Sequence, residues 1–183
     1  MEITASNAYE DIMNDSNSRL TWSASDPMNG MTQASDSLDE DRGLVLNWAD
    51  GESGSVSWSI PAEIADFTGH EALSFRACQG TRHPYTVALD DTLDFTVTLV
   101  DSIGIESSIR FGEMGEITTP YARTGSGSGS GWVNEFSTIR LSLADFQDSA
   151  IDLSDIADIR FDFGDGYSSS TGRIGIDDLM LEY

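Results

Sequence analysis

Ser55-Val56-Ser57-Trp58-Ser59-Ile60 alternates a small hydroxyl side chain with a larger apolar one at every step. A period of two marks a strand with one face in a core and the other in water. A helix would space its apolar residues three and four apart. The same beat recurs along the chain. Leu44-Val45-Leu46-Asn47-Trp48 carries it, as do Leu73, Phe75 and Ala77. Leu93, Phe95, Val97 and Leu99 form a long row, separated by Asp94, Thr96 and Thr98. Ile109 with Phe111, then Ile139 with Leu141 and Leu143, then Ile159 with Phe161 and Phe163, continue it. The last row is Ile174, Ile176, Leu179 and Leu181, where the phase slips at Asp177-Asp178 and predicts a bulge.

Between the rows stand turn signals: Asp50-Gly51, Asp165-Gly166, Thr68-Gly69, and Pro27 with Gly30. Weaker strands are expected around Tyr9 and from Arg19 to Trp22. Helix is scarce, with a short one expected over 61–67 and single turns over 142–146 and 152–156. Many short strands with little helix predict an all-β, two-sheet antiparallel β-sandwich, most simply a jelly roll. One module spanning 1–183 suits the length.

Charge narrows the function. The chain has 32 Asp and Glu, nine Arg and no Lys, for a net charge of −23. So acidic a molecule repels phosphate, which argues against nonspecific nucleic-acid binding and against anionic membrane surfaces. It is no disordered acidic tail, because it holds 8 Phe, 5 Tyr and 4 Trp. Excess Asp without Lys resembles the surfaces of proteins from marine or halophilic habitats, and codon bias explains it equally well. Cys78 is the single cysteine, so neither an intrachain disulfide nor a cysteine-based zinc site can form. No apolar run approaches the roughly 20 residues of a membrane span, so no membrane insertion is expected. No signal peptide is visible. Met1-Glu2 reads as a recombinant start, which leaves room for a natural secretion signal. Gly125 to Gly131 alternates Gly and Ser, the composition of a flexible loop, natural or engineered.

The ordered segments resemble the family-eleven carbohydrate-binding modules and the related β-sandwich of the complex I intermediate-associated proteins. Tyr9-Glu10-Asp11 followed by Leu20-Thr21-Trp22 carries the start of the resemblance. Arg42-Gly43-Leu44 and Asp66-Phe67-Thr68-Gly69 continue it. The tail carries most: Phe136 to Phe146, Ile151 to Ile156, Ile159-Arg160-Phe161, and Gly172 to Leu179. The resemblance implies a galactose-binding-like jelly roll and a structural calcium ion, with Glu10 and Asp177 as ligands beside carbonyls near 36–43. Hard oxygens from distant segments suit Ca²⁺. Solvated carboxylates, with Asp177 capping the bulge, are the plainer reading.

The resemblance also implies a glycan cleft. Asp50 falls at the position of a cleft Asp, and Phe163 at that of a cleft aromatic. The chain departs from the platform-tyrosine pattern at Glu52, at Ser23-Ala24-Ser25 and at Gln147-Asp148-Ser149. A glycan other than β-glucan, or none, is therefore expected. Arg76, Arg110, Arg140 and Arg160 each stand between two core-facing residues, so all four should point away from the core. In jelly-roll order, Arg76 and Arg140 should lie on neighbouring strands of one sheet, and Arg110 and Arg160 should flank the 94–98 strand of the other. Two readings stay open. One is a set of salt ladders, such as Arg110–Asp94–Arg160 or Arg160–Asp162, each worth under about 1 kcal/mol. The other is an acidic-sugar site at Arg76 and Arg140, using guanidinium forks.

Among the loop aromatics Tyr85, Tyr121, Trp132 and Tyr167, Trp132 is the best stacking candidate and Tyr121 the next chosen, though each serves equally as a loop anchor. His70 and His83 stand in turns with no triad order around them. No catalytic residue is assigned. The expectation is a noncatalytic, secreted carbohydrate-binding module for an acidic polysaccharide or cell-surface glycan, part of a larger protein. The alternative is a calcium-stabilised structural or adhesive module of a cell-surface protein. A hydrolase or lyase domain ranks third.

Overall fold

The computed structural model describes residues 21–24, 32–34, 44–79, 92–119, 121–122, 132–133, 137–148, 150–167 and 169–183. The first sheet contains β1 (Thr21–Ala24), β4 (Ser53–Ser59), β11 (Ile156–Gly164), β6 (Thr96–Asp101) and β7 (Glu106–Arg110), in that spatial order. The second contains β10 (Ser137–Ser142), β5 (Ala72–Gln79), β12 (Gly172–Glu182), β3 (Leu44–Trp48) and β2 (Thr32–Ala34). Every pairing within them is antiparallel. β8 (Tyr121–Ala122) and β9 (Trp132–Val133) make a separate two-stranded ribbon. The chain crosses between the sheets repeatedly, as a jelly roll requires. The Asp50-Gly51 turn, with Gly51 at φ +80°, carries β3 of one sheet into β4 of the other.

The period-two rows become the core. Val56 and Trp58 of β4, Ile159 and Phe161 of β11, and Val97 and Leu99 of β6 are buried from the first sheet. Leu73 and Phe75 of β5, Ile174 and Ile176 of β12, and Ile139 and Leu141 of β10 meet them from the second. Phe161 sits at the junction. Its ring lies 5.1 Å from Trp58, 5.0 Å from Phe75 across the sandwich, and 6.0 Å from Phe95. Phe163 belongs to the same interior. It is 0% exposed, 5.1 Å from the Trp48 ring and 5.8 Å from Phe95. This corrects its assignment as a ligand contact: the alternation that buries Ile159 and Phe161 buries it too.

The long row over Leu93–Leu99 is not one strand. Leu93 and Phe95 are buried, yet the ladder begins at Thr96. The Asp94 side chain replaces it, accepting from the N–H groups of Phe95 at 2.8 Å and Gly112 at 2.6 Å, and pairing with Arg110. A Cβ at Gly112 would stand 2.8 Å from the Asp94 carboxyl carbon, so the approach requires glycine. Asp94→Ala is expected to strand both donors, at roughly 1–3 kcal/mol each. Urea unfolding measures this, and an unchanged midpoint would remove the role from Asp94.

The short helix expected over 61–67 shrinks to a single 3₁₀ turn, Ala62–Ile64. Asp66 takes over beyond it, accepting from Thr68 N–H at 2.9 Å and Thr68 Oγ1 at 2.6 Å. The turn expected over 142–146 is a 3₁₀ segment, Leu143–Asp148. At 152–156 a helical turn gives way to a side-chain turn, with Asp152 Oδ1 accepting from Ser154 N–H at 2.9 Å. The bulge expected at Asp177-Asp178 is present, because the β12–β5 register shifts between Asp177 and Met180.

Candidate functional site

The two outer faces use their arginines differently. On the first sheet, β11 places Arg160 opposite Thr98 of β6. Its guanidinium reaches past that strand and grips Glu106 of β7 with both NH groups, at 2.7 and 2.8 Å. Its Nε donates to Asp162 at 3.0 and 3.1 Å. Asp162 is nearly buried and also accepts from Thr98 Oγ1 at 3.1 Å. Burial pushes the Asp162 carboxyl above the usual range, while the Arg160 fork holds Glu106 below it. Arg110 pairs with Asp94. The expected Arg110–Asp94–Arg160 chain is thus split into the Arg110–Asp94 pair and an Arg160 cluster that keeps the expected Asp162 partner and adds Glu106, because Asp94 precedes the β6 ladder and Arg160 sits against its middle. This face is zipped by its own charges.

The second sheet is different. Alternation on β5 and β10 turns Arg76 and Arg140 outward, and both are exposed. The register pairs Arg76 with Thr138 of β10 on one side and Asp177 of β12 on the other. Arg140 pairs with Ser74, so the two arginines occupy diagonal positions on adjacent strands. Such diagonals stand roughly 7–8 Å apart. Arg140 Nε donates to Glu182 at 2.5 Å while its side chain stays 54% exposed. Arg173, half-buried on β12 opposite Asn47, adds a third arginine to this face. Sequence reading missed it because its row begins at Ile174. Among the described residues no aromatic side chain stands on the strands of this face. It can grip anions and hydroxyls, but it offers no stacking platform.

The other predicted site residues do not converge here. Asp50 is exposed in the β3–β4 turn. That turn lies beyond the Trp48–Gly172 pair, at the far end of β12 from Glu182. Glu52 is a turn cap, its Oε2 accepting from Ala49 N–H at 2.7 Å. Tyr121 and Trp132 lie on the small ribbon, in neighbouring register pairs, where free loop positions were expected. Only their backbone is described. Tyr167 is 45% exposed, and its carbonyl accepts from Thr96 at the first sheet. Glu10, Tyr85, His83 and the Gly/Ser run 125–131 lie outside the described residues, and Asp177 is described in its backbone alone. Among the described residues no three His, Cys, Asp or Glu side chains gather as a metal cluster. No helix among them is long and apolar enough to cross a membrane.

No protein-family pattern and no curated protein matches the sequence. Solved structures do match. The family 11 carbohydrate-binding module of a cellulosomal cellulase of Clostridium thermocellum superposes with a TM-score of 0.50 at 11% identity, over 90% of this chain and 87% of that one. A family 28 carbohydrate-binding module specific for non-crystalline cellulose gives 0.53 at 10% identity, over 93% and 91%. The chain therefore has the jelly-roll sandwich of these modules, the fold that the ordered sequence segments suggested.

Proposed function

We propose that the chain is a noncatalytic carbohydrate-binding module whose ligand is an acidic polysaccharide, sulfated or uronate-containing, bound on the outer face of the β10-β5-β12-β3-β2 sheet. One observation carries this: Arg76 and Arg140 are exposed as diagonal neighbours on a face that, among the described residues of its strands, presents no aromatic side chain. A guanidinium fork matches a carboxylate or sulfate in two parallel hydrogen bonds. The Glu182 carboxylate, which accepts from Arg140 Nε, supports this reading, because a ligand anion would compete for the same donor. A family 28 module of this fold is specific for non-crystalline cellulose, a neutral polymer. The arginines on this face, which presents no aromatic side chain among the described residues of its strands, support a charged ligand here. An extracellular setting follows from that ligand class.

Affinity electrophoresis in gels containing sulfated galactan, alginate or mixed-linkage glucan tests this. Retardation by an acidic polymer and not by the neutral one is expected. Retardation by neither, or by glucan alone, would refute it.

The Arg140–Glu182 pair also favours a second reading, in which the face is neutralised internally and the module is structural or adhesive. Calcium would then clamp the chain through Glu10 and Asp177. The break in register after Asp177 supports this, because it releases main-chain oxygens from the ladder. EDTA is expected to lower the melting temperature and added Ca²⁺ to restore it. A transition unmoved by EDTA would count against this metal site.

A further inference from the structure

A cavity of about 640 Å³ opens at one end of the sandwich, between the segment leading into β5, the end of β10 and the segment leading into β11. Small-ligand pockets span roughly 300–1,000 Å³. Main-chain bonds fix its walls to each other. Phe67 N–H donates to Leu153 at 2.8 Å, Leu143 N–H to Glu71 at 2.9 Å, and Glu71 N–H to Glu182 at 2.7 Å. Phe67 and Leu143 are buried beneath it, with Ile151 and Leu153 half-buried in its lining.

Its polar side chains are the hydroxyls of Thr68 and Ser142, the His70 imidazole and the Glu71 carboxylate. Ser142 Oγ accepts from Ala144 N–H at 3.2 Å, which leaves its proton to donate. Thr68 Oγ1 donates to Asp66 and keeps lone pairs to accept. Both ring nitrogens of His70 are buried without a hydrogen-bond partner. The imidazole lies under Tyr183, with ring centroids 4.6 Å apart, and Tyr183 is itself 76% exposed. Stranded polar atoms of this kind are costly, and a ligand that pairs with them recovers that cost. Burial depresses the basicity of His70, and the neutral ring offers one donor and one acceptor. Glu71 in the lining, with Asp66 and Glu182 nearby, opposes an anion, and no arginine is among the described residues that line the cavity.

We propose that this cavity is a second glycan subsite, which takes one neutral sugar residue with hydroxyls on His70 and Ser142 and its apolar ring face over Ile151 and Leu153. The exposed Tyr183 ring slides from the imidazole to admit it. The proposal rests on the glycan-binding reading and adds to it a position that discriminates neutral from charged residues.

The chain has two histidines, so proton NMR resolves two imidazole signals, assigned with His70→Gln. Titration with glucose, galactose or xylose at millimolar concentration is expected to move the His70 signal saturably for at least one sugar. Ala144→Trp, which fills the mouth from an exposed position, is expected to weaken that response roughly tenfold. The same variant should leave Arg140-dependent retardation by acidic polymer intact. Ser142→Ala, which removes no packing, should weaken the response in the same direction. A His70 signal unmoved by every neutral sugar, with acidic-polymer binding intact, overturns the subsite alone. Loss of both overturns both proposals. A response unaffected by both variants places the sugar elsewhere and also overturns the subsite.

Discussion

Arg76→Ala and Arg140→Ala are each expected to weaken binding of a sulfated or uronate polysaccharide about tenfold, and the double variant about a hundredfold. A hydrogen bond to a charged group is worth roughly 1.5–3 kcal/mol, and about 1.4 kcal/mol is a factor of ten. The lower end applies, because both side chains are exposed and Arg140 must first release Glu182. Isothermal titration calorimetry on the purified module measures the effect. Arg76→Lys and Arg140→Lys should recover little, since an ammonium keeps the charge and loses the planar fork. Full recovery by lysine would mean that charge alone suffices. Binding untouched by the double change would remove the face from the mechanism. Folding should be nearly indifferent, within roughly 0.5 kcal/mol, as for other exposed substitutions.

Phe161→Ala should cost about 3–5 kcal/mol of stability. The ring is 0% exposed and touches Trp58, Phe75 and Phe95, so its loss opens a void where the two sheets meet. The remaining aromatics are rigid and project from separate strands, which limits collapse into that void. Domains of this kind hold only about 5–15 kcal/mol in total, so the variant should unfold at markedly lower denaturant. Phe161→Leu retains much of the volume and should cost clearly less. Equal costs for the two would show that packing at this point is not what joins the sheets.

The strands were legible because half-burial writes itself into sequence as a period of two. Val56-Ser57-Trp58, Phe75-Arg76-Ala77 and Ile159-Arg160-Phe161 each bury the first and third residue and leave the middle one more exposed. The outward placement of the four arginines followed from the same rule. Phe163 obeys the alternation that places it with Phe161 in the core, against the cleft position that the resemblance implies. The Leu93–Leu99 row failed as a strand for a tertiary reason: Asp94 is satisfied by Gly112 and Arg110, which no local pattern announces. His70 and Tyr183 were invisible as a pair because only the fold brings a turn before β5 against the residue after β12.

The position of β12 also sets an order in time. It follows every other described strand in the chain, yet it lies in the middle of its sheet, between β5 and β3. Thr171, just before it, donates to the carbonyl of Trp48 across a sequence separation of 123 residues. β5 and β10 can zip together early, but β3 and β2 have no partner in that half until residues 172–182 arrive. On a ribosome the second sheet must therefore wait, with its half-core exposed, until this segment has emerged. Pairings so distant in sequence close slowly, on the order of milliseconds to seconds in comparable β-sandwiches. For a molecule of net charge −23, self-repulsion between copies is then a safeguard against aggregation during that interval.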